Sequence, residues 1–292
     1  MATGSTTTGA LADSLPTMIA SARLIREQEG VMPQLEDKVT LAEGTGLSWN
    51  EISLSKLTAF AVTETTILDN PQQMADTLLT ITPTVAGIET LITDRVARRI
   101  SKNVYAKIGS LAQNAIQRKK DEDGLTVLDA GVATASPGAG STLTSGHIAA
   151  AVVGITSNTT EPGPPPIRCV LHGFQIKDIY DEIVNPVGTY ALPEGLTARV
   201  FQEYFRGSVA GAQIYEDGNI SISTDTDAKG GVFSQSAIIL VQGHSPRVET
   251  KRRPEVGGGA TSMYHYDEYA YGERSSGNWL YEIQSDATAP TS

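Results

Sequence analysis

A single cysteine, Cys169, stands in the 292 residues, so no disulfide can close within the chain and no cysteine knuckle can hold a metal. Cytosolic synthesis is the simplest expectation. Charge is also scarce, at 19% of residues against about 25% in an ordinary soluble domain. Positive charge is scarcer still: Lys and Arg total 22 against 33 for Asp and Glu, a net −11. That balance excludes a general nucleic-acid binder, which works by displacing counterions from phosphate, and leaves only local contact with nucleic acid. No apolar run approaches the roughly 20 residues that span a bilayer. The opening MATGSTTTGALADSLP has neither the basic start nor the apolar middle of a signal peptide, so neither membrane insertion nor secretion is expected. No segment of 20 to 50 residues recurs, which excludes solenoids and propellers.

The length is a prior for about two domains. With 32 Thr and 28 Gly, the chain is rich in residues that suit strands and turns. Two readings of the thin charge stay open. Either this is an uncharged, loop-rich protein, or neighbouring copies cover much of its surface.

Residues 1–13 show no periodicity, and Ser14 and Pro16 then open a helical pattern through Met18, Ile19, Ala22 and Ile25, closed by Gly30. One apolar stripe of this size cannot fold alone, so the arm must dock on the body or on another subunit. From Lys38 the period turns toward β. GLSWNEISLSKLTAFAVTETTIL alternates at Leu47, Trp49, Ile52 and Leu54, and Thr77 to Ile92 reads as a second strand. Pro83 and Gly87 give that second strand an edge or projecting character.

Thr93 and Asp94 then cap an amphipathic helix with apolar side chains at Val96, Ile100, Val104, Ile108, Leu111, Ala112, Ala115 and Ile116, and the polar run RKKDEDG ends it at Gly124. From Thr93 to Asp121 it would be about 43 Å long, enough to span a domain. After a loop over 129–146, Thr144 or Ser145 caps a helix through Val153. IRCVL (Ile167–Leu171) reads as a buried strand, Gln175–Val184 and Thr197–Phe205 as helices, and GAQIYEDGNISIS as a strand pair turned at Asp217-Gly218. The last 60 residues are β-rich, with Tyr264 and Tyr266, then Tyr269 and Tyr271, each pair on one strand face.

Chemistry-bearing patterns are few. His147, His172, His244 and His265 fall in separate segments and read as structural or surface residues. PGAGST, from Pro137, has no lysine for phosphate and reads as a linker. Asp225 to Gly230 imitates the start of a calcium loop but places Lys229 at its fifth position, so it reads as a solvated turn. Asp121, Glu122 and Asp123 read as a solvated helix face. No catalytic residue, cofactor site or metal site is nominated.

The distribution of charge says more. Eight cations and four acids fall between Thr93 and Asp123, leaving 14 cations and 29 acids elsewhere. Arg95, Arg98, Arg99 and Lys102 form the basic face, and Arg247, Lys251, Arg252 and Arg253 a second knot. These cations pair with acids of the same chain, meet complementary patches on identical copies, or face an anionic polymer.

An arm, a β-ribbon with edge character, a spanning basic helix, an inserted α/β domain and a return to β follow one another in an order that resembles the major capsid protein of tailed double-stranded DNA bacteriophages. This is the Hong Kong 97-type fold, which encapsulin shells also use. GTGLSWNEISLSKLTAFAVTETT and LTITPTVAGIETLITDRVARRI look like the limbs of the extended loop leading into the spine helix. AIILVQGHSPRVETKRRP and GNWLYEIQSDATAP look like the last strands of the peripheral domain.

The resemblance implies an α+β fold with an N-terminal arm (1–37), an extended loop (38–92), a spine helix (93–124), an axial domain (125–243) and the C-terminal part of the peripheral domain (244–292). It implies a structural, non-enzymatic subunit that assembles with itself as hexamers and pentamers into an icosahedral shell around phage DNA. Assembly would take place in the host cytoplasm and end in the virion. Portal, scaffolding and decoration proteins are the further partners it implies, with non-specific contact to packaged DNA and no membrane. Met18, Ile19 and Ile25 on the arm and Leu47, Trp49, Ile52 and Leu54 on the ribbon are the expected contacts between subunits. Arg95, Arg98, Arg99 and Lys102 are the expected inner-surface basic patch. Some members lock their shells with a Lys-to-Asn isopeptide bond, for which Lys38 and Lys56 are candidates on the ribbon. An encapsulin-like cargo compartment is the alternative with the same fold. An α/β enzyme is the alternative outside it, although no nucleophile, base and stabiliser can be named together for one.

Overall fold

Alternation, capping and proline set most of the element boundaries. A computed structural model describes residues 5–6, 28, 30–64, 71–99, 102–184, 207–275 and 277–290, with the side chains of 5–6, 102–106 and 183–184 outside the description. The helix expected between Ser14 and Gly30, with Met18, Ile19 and Ile25, and the one expected at Thr197–Phe205 lie outside the described residues.

After strand β1 (Ser5–Thr6), Pro33 in its first turn starts helix α1 (Met32–Leu35), and β2 (Asp37–Thr40) follows. Among the described residues, strands β3 (Trp49–Leu54) and β4 (Asp76–Ile81) pair only with each other. The strand expected over Thr77–Ile92 is divided at Pro83, which has no N–H to give a ladder. Before it β4 belongs to the hairpin; after it β5 (Thr84–Thr93) joins a five-stranded sheet of order β1-β5-β12-β11-β2. Its long members are β11 (Ile238–Arg253) and β12 (Ala260–Glu273). Among the described residues Gly87 sits on an edge, because β1 pairs there with Leu91 and Ile92 of β5 alone.

Strand β5 runs straight into α2 (Asp94–Arg99), and α3 (Lys102–Asp129) follows. The 28 residues of α3 make a rod about 42 Å long. It outlasts its expected end at Gly124 by more than a turn. Gly124 is an internal residue at a close approach: a Cβ there would come 3.0 Å from Met32 Cβ and 3.2 Å from Glu36 Oε1. The polar run was misleading because Lys120 and Asp121 are buried.

The remaining elements build a six-stranded sheet of order β6-β13-β10-β7-β9-β8. They are β6 (Ala133–Thr134), α4 (Ser145–Thr156), β7 (Ile167–Leu171), α5 (Gly173–Val184), β8 (Ser208–Val209), β9 (Ala212–Glu216), β10 (Asp227–Ser234) and β13 (Leu280–Asp286). The cap on α4 is Thr144, in a reciprocal box with His147. Cys169 is fully buried in β7, where burial pushes its thiol pKa up. Two expectations fail in this sheet. Asp217-Gly218 turns no hairpin, since β9 pairs with β7 and β8 instead. Residues 280–286, grouped by sequence with the peripheral strands, cross back to pair with β10.

Helix α3 ties the two sheets together. Leu125 and Leu128 enter a core with Val170, Phe233 and Leu280 from the six-stranded sheet. One turn earlier, Lys120 and Asp123 reach Asp267 and Tyr269 of β12. A second core lies between α4, α5 and the opposite face of that sheet, around Ile148, Ile155, Cys169, Ile179 and Val232. The whole is α+β.

Candidate subunit interface

The β3–β4 ribbon has two faces with opposite fates. On one, Trp49, Leu79 and Ile81 pack with Leu41, Ile239, Val241 and Ala270. On the other, Ile52 stands directly opposite Leu78, with Leu54 two residues on; they are 61%, 60% and 64% exposed. Leu47, Leu57, Phe60, Val62 and Met74 are also exposed. A run of bare aliphatic and aromatic side chains on one projecting element marks an interaction surface rather than a monomer's normal scatter. Of the four contact residues expected on the ribbon, Leu47, Ile52 and Leu54 are bare. Trp49 is half-buried against the chain's own body.

Arg274, which sequence reading missed, sets the ribbon's angle to the body. Its Nε donates to Glu51 Oε2 (2.6 Å), its Nη1 to Asp37 Oδ2 (2.7 Å) and to the Ser236 carbonyl (3.2 Å). Its guanidinium lies 5.9 Å from the centre of the Trp49 ring. A planar guanidinium with several fixed donors suits such a junction better than an ammonium would. Farther out, Ser55 N–H donates to the Ala75 carbonyl (2.9 Å), and Gln72 accepts from Thr58 N–H (2.8 Å). Lys56 Nζ donates to the Thr159 carbonyl (2.8 Å), beside the end of α4.

One contact links the two basic segments. Arg252 grips Asp94, 158 residues earlier, through two guanidinium nitrogens, and that bond holds the Asp94 carboxyl below its ordinary pKa. Asp94 N–H also donates to the Gly259 carbonyl (2.9 Å). The start of α2, with Arg95, Arg98 and Arg99 all exposed, is thereby held beside the strand that carries Arg247, Lys251, Arg252 and Arg253. Sequence shows two separate basic clusters; the fold brings Arg252 of the second to the start of α2, while Arg253 pairs with Glu89 (3.3 Å) and Arg247 with Glu249 (3.6 Å). The Lys102 side chain lies outside the described residues.

Little here resembles a catalytic or metal centre. Among the described residues no group of three or more His, Cys, Asp and Glu could hold a metal ion. His147 caps α4, His172 accepts from Phe174 N–H (3.2 Å), His244 is bonded to the Ser245 carbonyl, and His265 is buried in β12. A cavity of about 310 Å³ beside the end of α3 is lined by Glu122, Asp129, Asp227 and Lys229, but Lys229 already bonds Asp129 at 2.6 Å.

No protein-family model and no curated protein matches the sequence. Solved structures do match, over nearly the whole chain. The capsid asymmetric unit of cyanophage Pam1 aligns with a TM-score of 0.71 at 12% identity, covering 99% of this chain and 100% of that one. The head structure of Helicobacter pylori bacteriophage KHP40 aligns at 0.68 and 10% identity over 95% and 97%. A chain of Mycobacterium phage Che8 aligns at 0.67 and 16% identity over 94% and 98%. The chain has the phage capsid fold.

Within this capsid fold the bare ribbon face and the exposed arginines of α2 stand out among the described residues. Alternation at Ile52 and Leu54 exposed the first to sequence reading. The second was legible as well, as Arg95, Arg98 and Arg99; its tie to Arg252 needed the fold, because it joins residues far apart in sequence.

Proposed function

We propose that the chain is the structural, non-enzymatic subunit of an icosahedral phage head. Copies assemble in the host cytoplasm as hexamers and pentamers, enclose the double-stranded DNA genome and remain in the virion. The observation that carries this reading is the whole-chain likeness to phage capsid structures. The bare ribbon face supports it, since a projecting apolar element is stabilised by burial on another copy. Residues 1–37 serve as the arm, the β3–β4 ribbon as the extended loop and α3 as the spine. Met18, Ile19, Ile25, Leu47, Ile52 and Leu54 contact neighbouring subunits; portal, scaffolding and decoration proteins join the same shell.

Electron micrographs of the purified full chain test the proposal. Closed icosahedral particles are expected, with dense DNA inside those recovered from infected cells. A chain that stays dispersed at every concentration overturns the proposal, and particles filled with protein cargo replace it with an encapsulin-like compartment.

In the same proposal, Arg95, Arg98 and Arg99 of α2 touch packaged DNA without reading sequence. Changing Arg95, Arg98 and Arg99 to Gln is expected to reduce genome retention far more than empty-shell assembly. DNA binding by the variant should lose roughly one unit of salt slope for each phosphate contact removed. Equal loss of shells and of DNA would assign the arginines to subunit pairing instead.

A further inference from the structure

The root of the arm is seated on carboxylates. Met32 N–H donates to Asp121 Oδ1 of α3 (3.0 Å), and Val31 N–H to Asp217 Oδ2 (3.3 Å), in the turn after β9. Asp121 Oδ2 accepts from Asn219 (2.9 Å), and Asp217 Oδ1 from the Asn219 backbone N–H (2.9 Å). The two carboxyl groups thus share Asn219 as a donor, and the charge of Asp217 makes it harder for Asp121 to ionise. Glu36, the residue after α1, is the third acid. It is 3% exposed, and among the described residues neither of its oxygens has a hydrogen-bond partner. The Tyr271 hydroxyl of β12 is likewise buried without one. Asp121 and Asp217 are themselves almost wholly buried. Gly30 permits the approach: a Cβ there would lie 2.2 Å from Asp121 Cγ.

Three buried acids on three separate parts of the fold, gathered around one short helix, do not suit a permanently ionised state. Full ionisation would set like charges together in a site with little water. We propose that this cluster is a proton-operated latch, which seats the arm root while Glu36 and Asp121 are protonated, and frees it when those protons leave.

The charged and titratable groups around it agree with that direction. Burial, then the Asp121 charge, push Glu36 up from 4.5 to about 9; Lys38 of β2 and Lys120 of α3 pull it partly back. Burial, then Asp217, push Asp121 up from 3.8 to about 7, against bonds from Asn219 and Met32. Burial and the charges of Glu36, Asp121 and Asp123 raise Tyr271, so it stays a neutral phenol. Lys120 is committed to Asp267, at 3.0 Å. Both acids hold their protons more tightly in the folded chain than in the unfolded one. Their contribution is therefore complete below about pH 4, declines as pH rises between the unfolded and folded values, and is gone above about 9.

Hydrogen exchange followed by mass spectrometry on the full chain, corrected for intrinsic exchange, tests this between pH 5 and 9.5. Protection of residues 31–40 is expected to fall about tenfold or more from pH 6 to pH 9, while that of α4 stays level. Glu36→Gln keeps the shape of the protonated acid and should hold the protection of residues 31–40 level above about pH 7, leaving only the earlier loss that belongs to Asp121. Asp121→Asn should flatten the lower part of the same curve. A flat wild-type profile overturns the latch without any variant. So does a loss of protection shared by α4, or a Glu36→Gln profile that follows the wild type.

Discussion

Replacing Ile52, Leu54 and Leu78 together by aspartate is expected to abolish shell formation while the chain remains folded. All three are more than half exposed on the bare face of the ribbon, so in the free subunit each change falls among surface substitutions, usually within about 0.5 kcal/mol. In an assembled shell the same side chains would be covered. Burying one large aliphatic side chain contributes about 1.5–3 kcal/mol, and an aspartate in its place carries a charge into an apolar contact. The loss recurs at every copy, and a closed shell depends on many contacts being made at once. Sedimentation and electron microscopy should find only small species, with a melting temperature close to that of the unassembled wild type. Ile81→Asp is the control on the opposite face. Ile81 is buried against Ile239 and Val241, so that change should lower the melting temperature itself. Normal shells from the triple variant would remove the ribbon from the subunit contact.

The ribbon's exposed face is legible in sequence because successive side chains of a strand point to opposite sides, so position alone sorts them. Trp49 and Glu51 fall on one side, Ile52 and Leu54 on alternate positions of the other. Local signals were equally sufficient for α4, whose Thr144–His147 box marks its start, and for β7, whose five residues are almost all buried. What failed was long-range. Arg274 reads as one more surface arginine until Asp37 and Glu51 arrive from more than 200 residues earlier. Asp217-Gly218 has the composition of a hairpin turn, yet its carboxylate holds the backbone of Val31, 186 residues away. The run RKKDEDG reads as a solvated helix end, and Glu122 and Asp123 do stay near solvent. Lys120 and Asp121 do not, because each has a partner on another element. Charged side chains are almost never buried unless paired, and one sequence does not show the pairing.

Lys120 supplies the second large effect. Its ammonium lies 3.0 Å from Asp267 Oδ2, 2.6 Å from Gln242 Oε1 and 4.8 Å from the centre of the Tyr269 ring, with Lys120 and Asp267 both nearly inaccessible. The pair fastens α3 to β12 at the point where the helix leaves one sheet for the other. Removing one partner leaves a buried charge without compensation, at a cost of about 3–5 kcal/mol. Asp267→Ala and Lys120→Met should each lower the unfolding free energy by that amount, read from denaturant titration. The double replacement Lys120→Met with Asp267→Leu should recover most of the loss, because well-packed apolar side chains can replace a buried ion pair with little net change. Single variants within about 1 kcal/mol of wild type would show that solvent reaches the pair. Lys120 also draws the Glu36 carboxyl downward. Lys120→Met should therefore leave Glu36 more firmly protonated and move the release of residues 31–40 to higher pH, even as it weakens the helix contact. Stability and the latch then move in opposite directions on one substitution, an outcome that general loosening of the fold would not produce.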